Sequence, residues 1–121
     1  MIILQIVNFE LITAELTRDE RQLIKILIAG FKSHVGRNNA ILSDEIVRRL
    51  NDKKATPKKV TGVRLRKMCN FIRSKGMLPL IATSHGYFIS NDSNEIRKQI
   101  QSLNERADAI RNSAKGLETF L

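Results

Sequence analysis

The stretch "TGVRLRKMCNFIRSKGMLPLIATSHGYFIS", Thr61 to Ser90, decides the fold. Its first half predicts a helix. Thr61 is a good N-cap, and Gly76 can take the left-handed conformation that ends helices. At about 100° per residue, Leu65, Met68, Cys69 and Ile72 share one face. Val63, Lys67, Asn70 and Ser74 lie opposite, flanked by Arg64 on one side and by Arg66 and Arg73 on the other. The second half places two apolar, β-prone runs around "SHG", which predicts a tight hairpin with His85 at its tip and Gly86 supplying the turn.

Upstream, Thr17 and Glu20 form a capping box, and Leu23, Ile24, Leu27, Ile28 and Phe31 give an apolar stripe, so a helix should run to about His34. His34 would there complement the helix dipole. Ala40–Leu42 is brief enough to be a single strand. Ser43 is expected to cap a short second helix, with Asp44 and Glu45 as first-turn acids and Ile46, Val47 and Leu50 facing inward. That helix should stop at "NDKKATPKK", a polar, basic connection containing Pro57.

Downstream, Asp92 and Glu95 make a carboxylate variant of the capping box, and the chain reads helical to about Lys115, with Gly116 as a stop. Ile96, Ile100, Leu103, Ala107, Ile110, Ala114 and Leu117 alternate spacings of four and three, the seam of a heptad repeat. A helix about 35 Å long should overhang a small domain and seek a partner, which makes a homodimer the expected state, the alternative being that the same stripe packs on its own domain. The charges flanking the seam, Arg97, Arg106, Arg111 and Glu118, form no obvious complementary set. Three regions result: an apolar arm over 1–16, a domain over 17–91 and a C-terminal helix over 92–121. The arm, which starts "MIILQIV", carries no signal-peptide pattern and should pack on the domain or on a second copy.

The net charge of +9 is concentrated. Arg48, Arg49, Lys53, Lys54, Lys58, Lys59, Arg64, Arg66, Lys67, Arg73 and Lys75 face one acid, Asp52, so residues 48–75 carry +10 and the rest of the chain −1. A polyanion would relieve that repulsion by counterion release, and no Trp or Phe insertion face accompanies the charge, so a nucleic acid is the expected partner, ahead of a solvated basic face with no partner or an anionic membrane surface. The lone Cys69 excludes an internal disulfide and suits a reducing cytoplasm. No metal-ligand spacing, P-loop, dinucleotide fingerprint, nucleophile elbow or carboxylate cluster occurs. The sequence therefore predicts no catalytic residue, metal, cofactor or small-molecule substrate.

The order of helix, short strand, two helices and hairpin is that of a winged helix-turn-helix, an α+β, mainly α fold. Through Ile72, Arg73, Gly76, Leu80, Ile81, Gly86, Tyr87 and Ile89, the run "LRKMCNFIRSKGMLPLIATSHGYFIS" resembles the helix-plus-wing half of the biotin operon repressor type. Residues 43–115 also look like small winged-helix proteins of phages and prophages. The chain departs from the repressor pattern in its extended "NDKKATPKKVTG", and no effector domain follows.

The resemblance implies DNA binding in the cytoplasm of a bacterial or phage-infected cell, in transcription regulation or as a replication or recombination accessory. On that reading Arg64, Arg66, Lys67 and Asn70 meet the major groove, with Arg73 at the flank of the same helix. Lys53, Lys54, Lys58 and Lys59 neutralise backbone, helped by Thr61. The wing, which lacks Lys and Arg, adds only Ser84, His85 and Thr83. The competing expectation is a winged helix that docks an acidic protein.

Overall fold

The computed structural model describes residues 14–54 and 56–121, so the arm up to residue 13 lies outside the described residues. The elements are α1 (Arg18–Phe31), a 3-10 turn (Arg37–Asn39), α2 (Ser43–Lys53), α3 (Gly62–Ser74), β1 (Leu80–Thr83), β2 (Gly86–Ile89) and α4 (Ser93–Glu118). The described residues divide into two compact units, one ending at Asn91 and the other running from Asp92 to Leu121. It is mainly helical, with one small antiparallel sheet.

In the first unit α3 is the central element, packing against α1, α2 and β1. Its apolar face is the one the sequence pattern selects: Leu65, Met68, Cys69 and Ile72 are each fully buried. Leu23, Ile24, Leu27 and Phe31 meet them from α1, Ile46 and Leu50 from α2, and Leu80, Tyr87 and Ile89 from the hairpin. Full burial of each such side chain contributes roughly 1.5–3 kcal/mol, so this shared face dominates the stability of the unit.

Local chemistry sets the helix ends. Glu20 N–H donates to Thr17 Oγ1 at 3.2 Å while Thr17 N–H donates to Glu20 Oε1 at 2.8 Å, a complete capping box. α1 stops at Phe31, earlier than His34. His34 Nδ1 donates instead to the Asn39 carbonyl at 2.8 Å and fastens the 3-10 turn, so it is not a dipole partner of α1. Thr61 caps α3 as expected, its hydroxyl accepting from Arg64 N–H at 3.2 Å. Gly76 has φ +62 and ends that helix region in the left-handed conformation.

Three further boundaries differ from the sequence expectation. Ser43 is the first residue of α2 and not its cap, a position held by Leu42 without a side-chain bond. α2 continues through Asn51 and Asp52 to Lys53, because these polar residues have partners there. Asp52 accepts from Arg48 Nη1 at 2.9 Å, and the Asn51 amide binds Val60 in both directions. α4 runs through Gly116 to Glu118, and the Thr119 hydroxyl donates to the Gly116 carbonyl at 2.8 Å. Gly116 keeps ordinary helical backbone there, at a cost of about 1 kcal/mol relative to alanine.

The hairpin pairs Leu80 with Ile89, Ile81 with Phe88, Ala82 with Tyr87 and Thr83 with Gly86. The expected strand at Ala40–Leu42 is a single bridge. Ile41 N–H donates to the Tyr87 carbonyl at 2.9 Å, and Tyr87 N–H to the Ile41 carbonyl at 2.8 Å. A second bridge, Val35 with Ile89, lies further along the same edge of β2. Gly86 has φ +116, and a Cβ there would stand 2.2 Å from the Ile41 carbonyl oxygen, so only glycine fits.

The second unit is α4 itself. Asp92 Oδ1 accepts from Asn94 N–H at 2.8 Å to start it. Its 26 residues span about 39 Å. No helix among the described residues is long and apolar enough to cross a membrane.

Candidate nucleic-acid interface

Three elements carry the basic segment 48–75: the second half of α2, the connection that follows it, and α3. Each cation is placed by what its side chain finds nearby.

Glu20 is the acid that sorts them. It is 1% exposed, and its two oxygens accept from Lys67 Nζ at 2.7 Å and Arg64 Nε at 3.1 Å as well as from Thr17 N–H. Burial alone would raise its pKa. The hydrogen bonds from Lys67, from the Thr17 backbone and from Arg64 outweigh that and hold it at about 2. Arg64 also donates through Nη1 to the Lys59 carbonyl at 2.7 Å, while its buried Nη2 has no hydrogen-bond partner among the described residues.

Arg64 and Lys67 therefore differ from the sequence expectation. Their side chains are 15% and 11% exposed, and they tie α3 to α1 instead of projecting from it. Position on a helical wheel fixes only the direction of a Cα–Cβ bond. A long side chain then follows the nearest buried acid.

Arg48 and Arg49 are also engaged: Arg48 spans Glu45 and Asp52, and Arg49 Nε donates to Glu45 at 2.9 Å. The guanidinium groups of Arg48 and Arg49 lower the Glu45 pKa to about 2. These bridges are solvent-exposed, so each adds little stability.

Lys53, Lys54, Lys58, Lys59 and Arg66 remain exposed. Lys53 ends α2, and Lys54 follows it in the left-handed conformation, φ 49. Lys58 and Lys59 lie on the connection, which Asn51 closes. Asn51 Nδ2 donates to the Val60 carbonyl at 3.0 Å and Asn51 Oδ1 accepts from Val60 N–H at 2.8 Å. Asn51, Lys54, Thr56, Pro57, Lys58 and Lys59 line one recess of that connection.

Arg66 lines a second groove with Ser43, Gly62, Thr83, Ser84 and Tyr87, between the start of α2, the first turn of α3 and the hairpin. Ser84 and His85 are exposed at the hairpin tip, where Thr83 Oγ1 accepts from His85 N–H at 3.1 Å. The remaining expected residues are less prominent. Asn70 and Arg73 are half-buried, and the hydroxyl of Thr61 is used as the α3 cap. Lys75 is exposed, 5.9 Å from the centre of the Phe71 ring.

Sequence reasoning missed Glu20 and Asn51 as organisers of this face. Glu20 carried a visible local role, the capping box, which hid a tertiary one. Asn51 looked like loop onset, and its signal was an amide nine residues before an apolar valine.

The seam of α4 is unevenly covered. Ile96, Ala107 and Ile110 are half-buried, whereas Ile100, Leu103, Ala114 and Leu117 are exposed. No residue of that helix is fully buried.

Cys69 faces the core beside Tyr87, and burial pushes its thiol up to about 12. Among the described residues no three His, Cys, Asp or Glu side chains are grouped to hold a metal ion. Compared with protein families, with curated proteins and with solved structures, the chain matches none.

Proposed function

We propose that this chain binds double-stranded DNA as a winged-helix protein, with the N-terminal half of α3 directed at the major groove and the β1–β2 hairpin lying along adjacent backbone. The observation that carries the reading is how the cations are divided. With Arg48, Arg49, Arg64 and Lys67 held in ion pairs, the exposed Lys53, Lys54, Lys58, Lys59 and Arg66 run from the end of α2 to the first turns of α3, Lys75 stands at the other end of that helix, and Arg66 shares a groove with the hairpin. Arg66 is the candidate base reader, since a guanidinium can bond guanine in two places, with Asn70 as a secondary contact. Lys53, Lys54, Lys58 and Lys59 are phosphate contacts. Arg64 and Lys67 are positioning residues. Within that activity, transcription regulation and replication or recombination in a phage or prophage setting both use the same surface.

The test is fluorescence polarisation with a labelled random duplex over a salt series. If the four lysines and Arg66 contact phosphates or bases as assigned, log K should fall with log salt with a slope of about −4 to −5. Arg66→Glu should weaken binding at least tenfold without changing the melting temperature. A flat salt response, or unaltered affinity in Arg66→Glu, overturns the assignment. The rival reading, docking of an acidic protein, is favoured only if duplex fails to bind while an acidic peptide does.

A further inference from the structure

We infer that α4 pairs antiparallel with α4 of a second copy, in one register. The inference goes beyond DNA binding and does not depend on it. It begins with the exposed residues Ile100, Leu103 and Leu117 on the seam, followed at the chain end by Phe120 and Leu121. With seam positions alternating d and a from Ile96, Leu121 falls on the next a position. Backbone N–H groups of Phe120 and Leu121 donate to the carbonyls of Leu117 and Glu118, which carries the chain one tight turn beyond the helix.

Side-chain volume selects the direction. A parallel, in-register pair would set Ala107 on Ala107 and Ala114 on Ala114, leaving voids beside layers of Leu103 and Ile110. An antiparallel pair can place Ile96 against Leu121, Ile100 against Leu117, Leu103 against Ala114 and Ala107 against Ile110, each contact occurring twice by symmetry. Large then meets small in the middle and large meets large at both ends, so the seam fills.

Charge selects the same arrangement independently. In the parallel pair Arg106 faces Arg111 of the other copy on both sides. In the antiparallel register above, the flanking positions oppose Arg97 with Glu118, Asn104 with Arg111 and Arg106 with Ser113, so no like charges meet. Sliding one heptad in one direction opposes Arg97 with Arg111 and Arg106 with its own copy. Sliding in the other direction opposes Arg111 with its own copy. The flanking charges, which form no set along a single helix, are complementary in this register alone among the four.

The geometry has a readable consequence. The two helix N-termini should stand roughly 45 Å apart along the rod, because this register sets each Ser93 about 31 residues along the axis from its copy, whereas parallel helices would bring them side by side.

The experiment uses the full chain without DNA. Sedimentation equilibrium gives the mass, and a spin label on Asn94→Cys gives the distance across the dimer. Cys69 is fully buried and should remain unlabelled. A dimer with a label separation near 45 Å is the expected result. A monomer at all concentrations, or a dimer with a separation of about 20 Å, overturns the proposal.

The charges supply a second check. Arg97→Glu and Glu118→Arg should each weaken the dimer roughly tenfold or more, and combining them should restore it. A double variant no tighter than the singles overturns the register. A chain that dimerises in this way yet binds no duplex leaves the inference standing and removes only the DNA reading.

Discussion

Replacing Glu20 by glutamine keeps the shape of the side chain and removes the charge that holds Arg64 and Lys67. The carboxyl is lowered from 4.5 to about 2 in the folded chain. At about 1.4 kcal/mol per unit, the folded state gains about 3 kcal/mol at neutral pH from keeping this group ionised. Glu20→Gln should therefore lose on the order of 3 kcal/mol at pH 7, a cost consistent with breaking a buried ion pair. For a domain of this size the melting temperature should fall by on the order of 15 °C.

The pH dependence separates this cause from simple mispacking. A carboxyl whose folded pKa is depressed stabilises the fold above its unfolded pKa and loses that contribution as pH falls through the folded value. The wild-type chain should thus shed its advantage between about pH 4.5 and pH 2, and its urea denaturation curve should meet that of Glu20→Gln near the lower limit. Glu45, held low by Arg48 and Arg49, titrates in the same window but is common to both proteins and cancels in the difference. A stability difference below about 1 kcal/mol at pH 7, or one that stays constant down to pH 2, would refute the assignment of Glu20 as the anchor of α3.

Further outcomes test the frame around the interface. Gly86→Ala should cost at least 2 kcal/mol in thermal unfolding, because the new methyl would meet the Ile41 carbonyl and the backbone has φ +116. A neutral result would show that the hairpin can move away from Ile41. Asn51→Ala removes both bonds to Val60 and should lose about 2 kcal/mol, with faster amide exchange at Val60 as its local sign. Exchange at Val60 equal to wild type would mean that the connection is closed by other contacts. His85→Ala should lower duplex affinity less than threefold, since the hairpin tip offers one imidazole and no Lys or Arg. A loss as large as that of Arg66→Glu would reverse the assigned roles of wing and helix.

Much of the fold is legible because its signals are local. The Thr17–Glu20 box, the Thr61 cap, the buried face Leu65–Met68–Cys69–Ile72 and the turn before Gly86 each follow from spacings within one element. What escaped depends on partners that lie far apart in sequence. Arg64 and Lys67 read as free cations on a wheel, and their partner stands 44 and 47 residues away on another helix. The extension of α2 through Asn51 depends on Val60, which no propensity reports. Gly116 shows the opposite limit: its cost as a helix residue is small enough for the turn around Thr119 to absorb.

The bridges at Val35 and Ile41 bear on how freely the hairpin can move. β2 is hydrogen-bonded to β1 on one side and to the connection between α1 and α2 on the other, so it cannot swing as a free flap. Displacing it would break bonds on both edges and drag the Ile41 backbone away from Gly86. Its conformational entropy was surrendered when the domain folded, and little more need be lost on association. The hairpin is thus a preorganised surface, with Ser84 and His85 at its tip the part left to adjust.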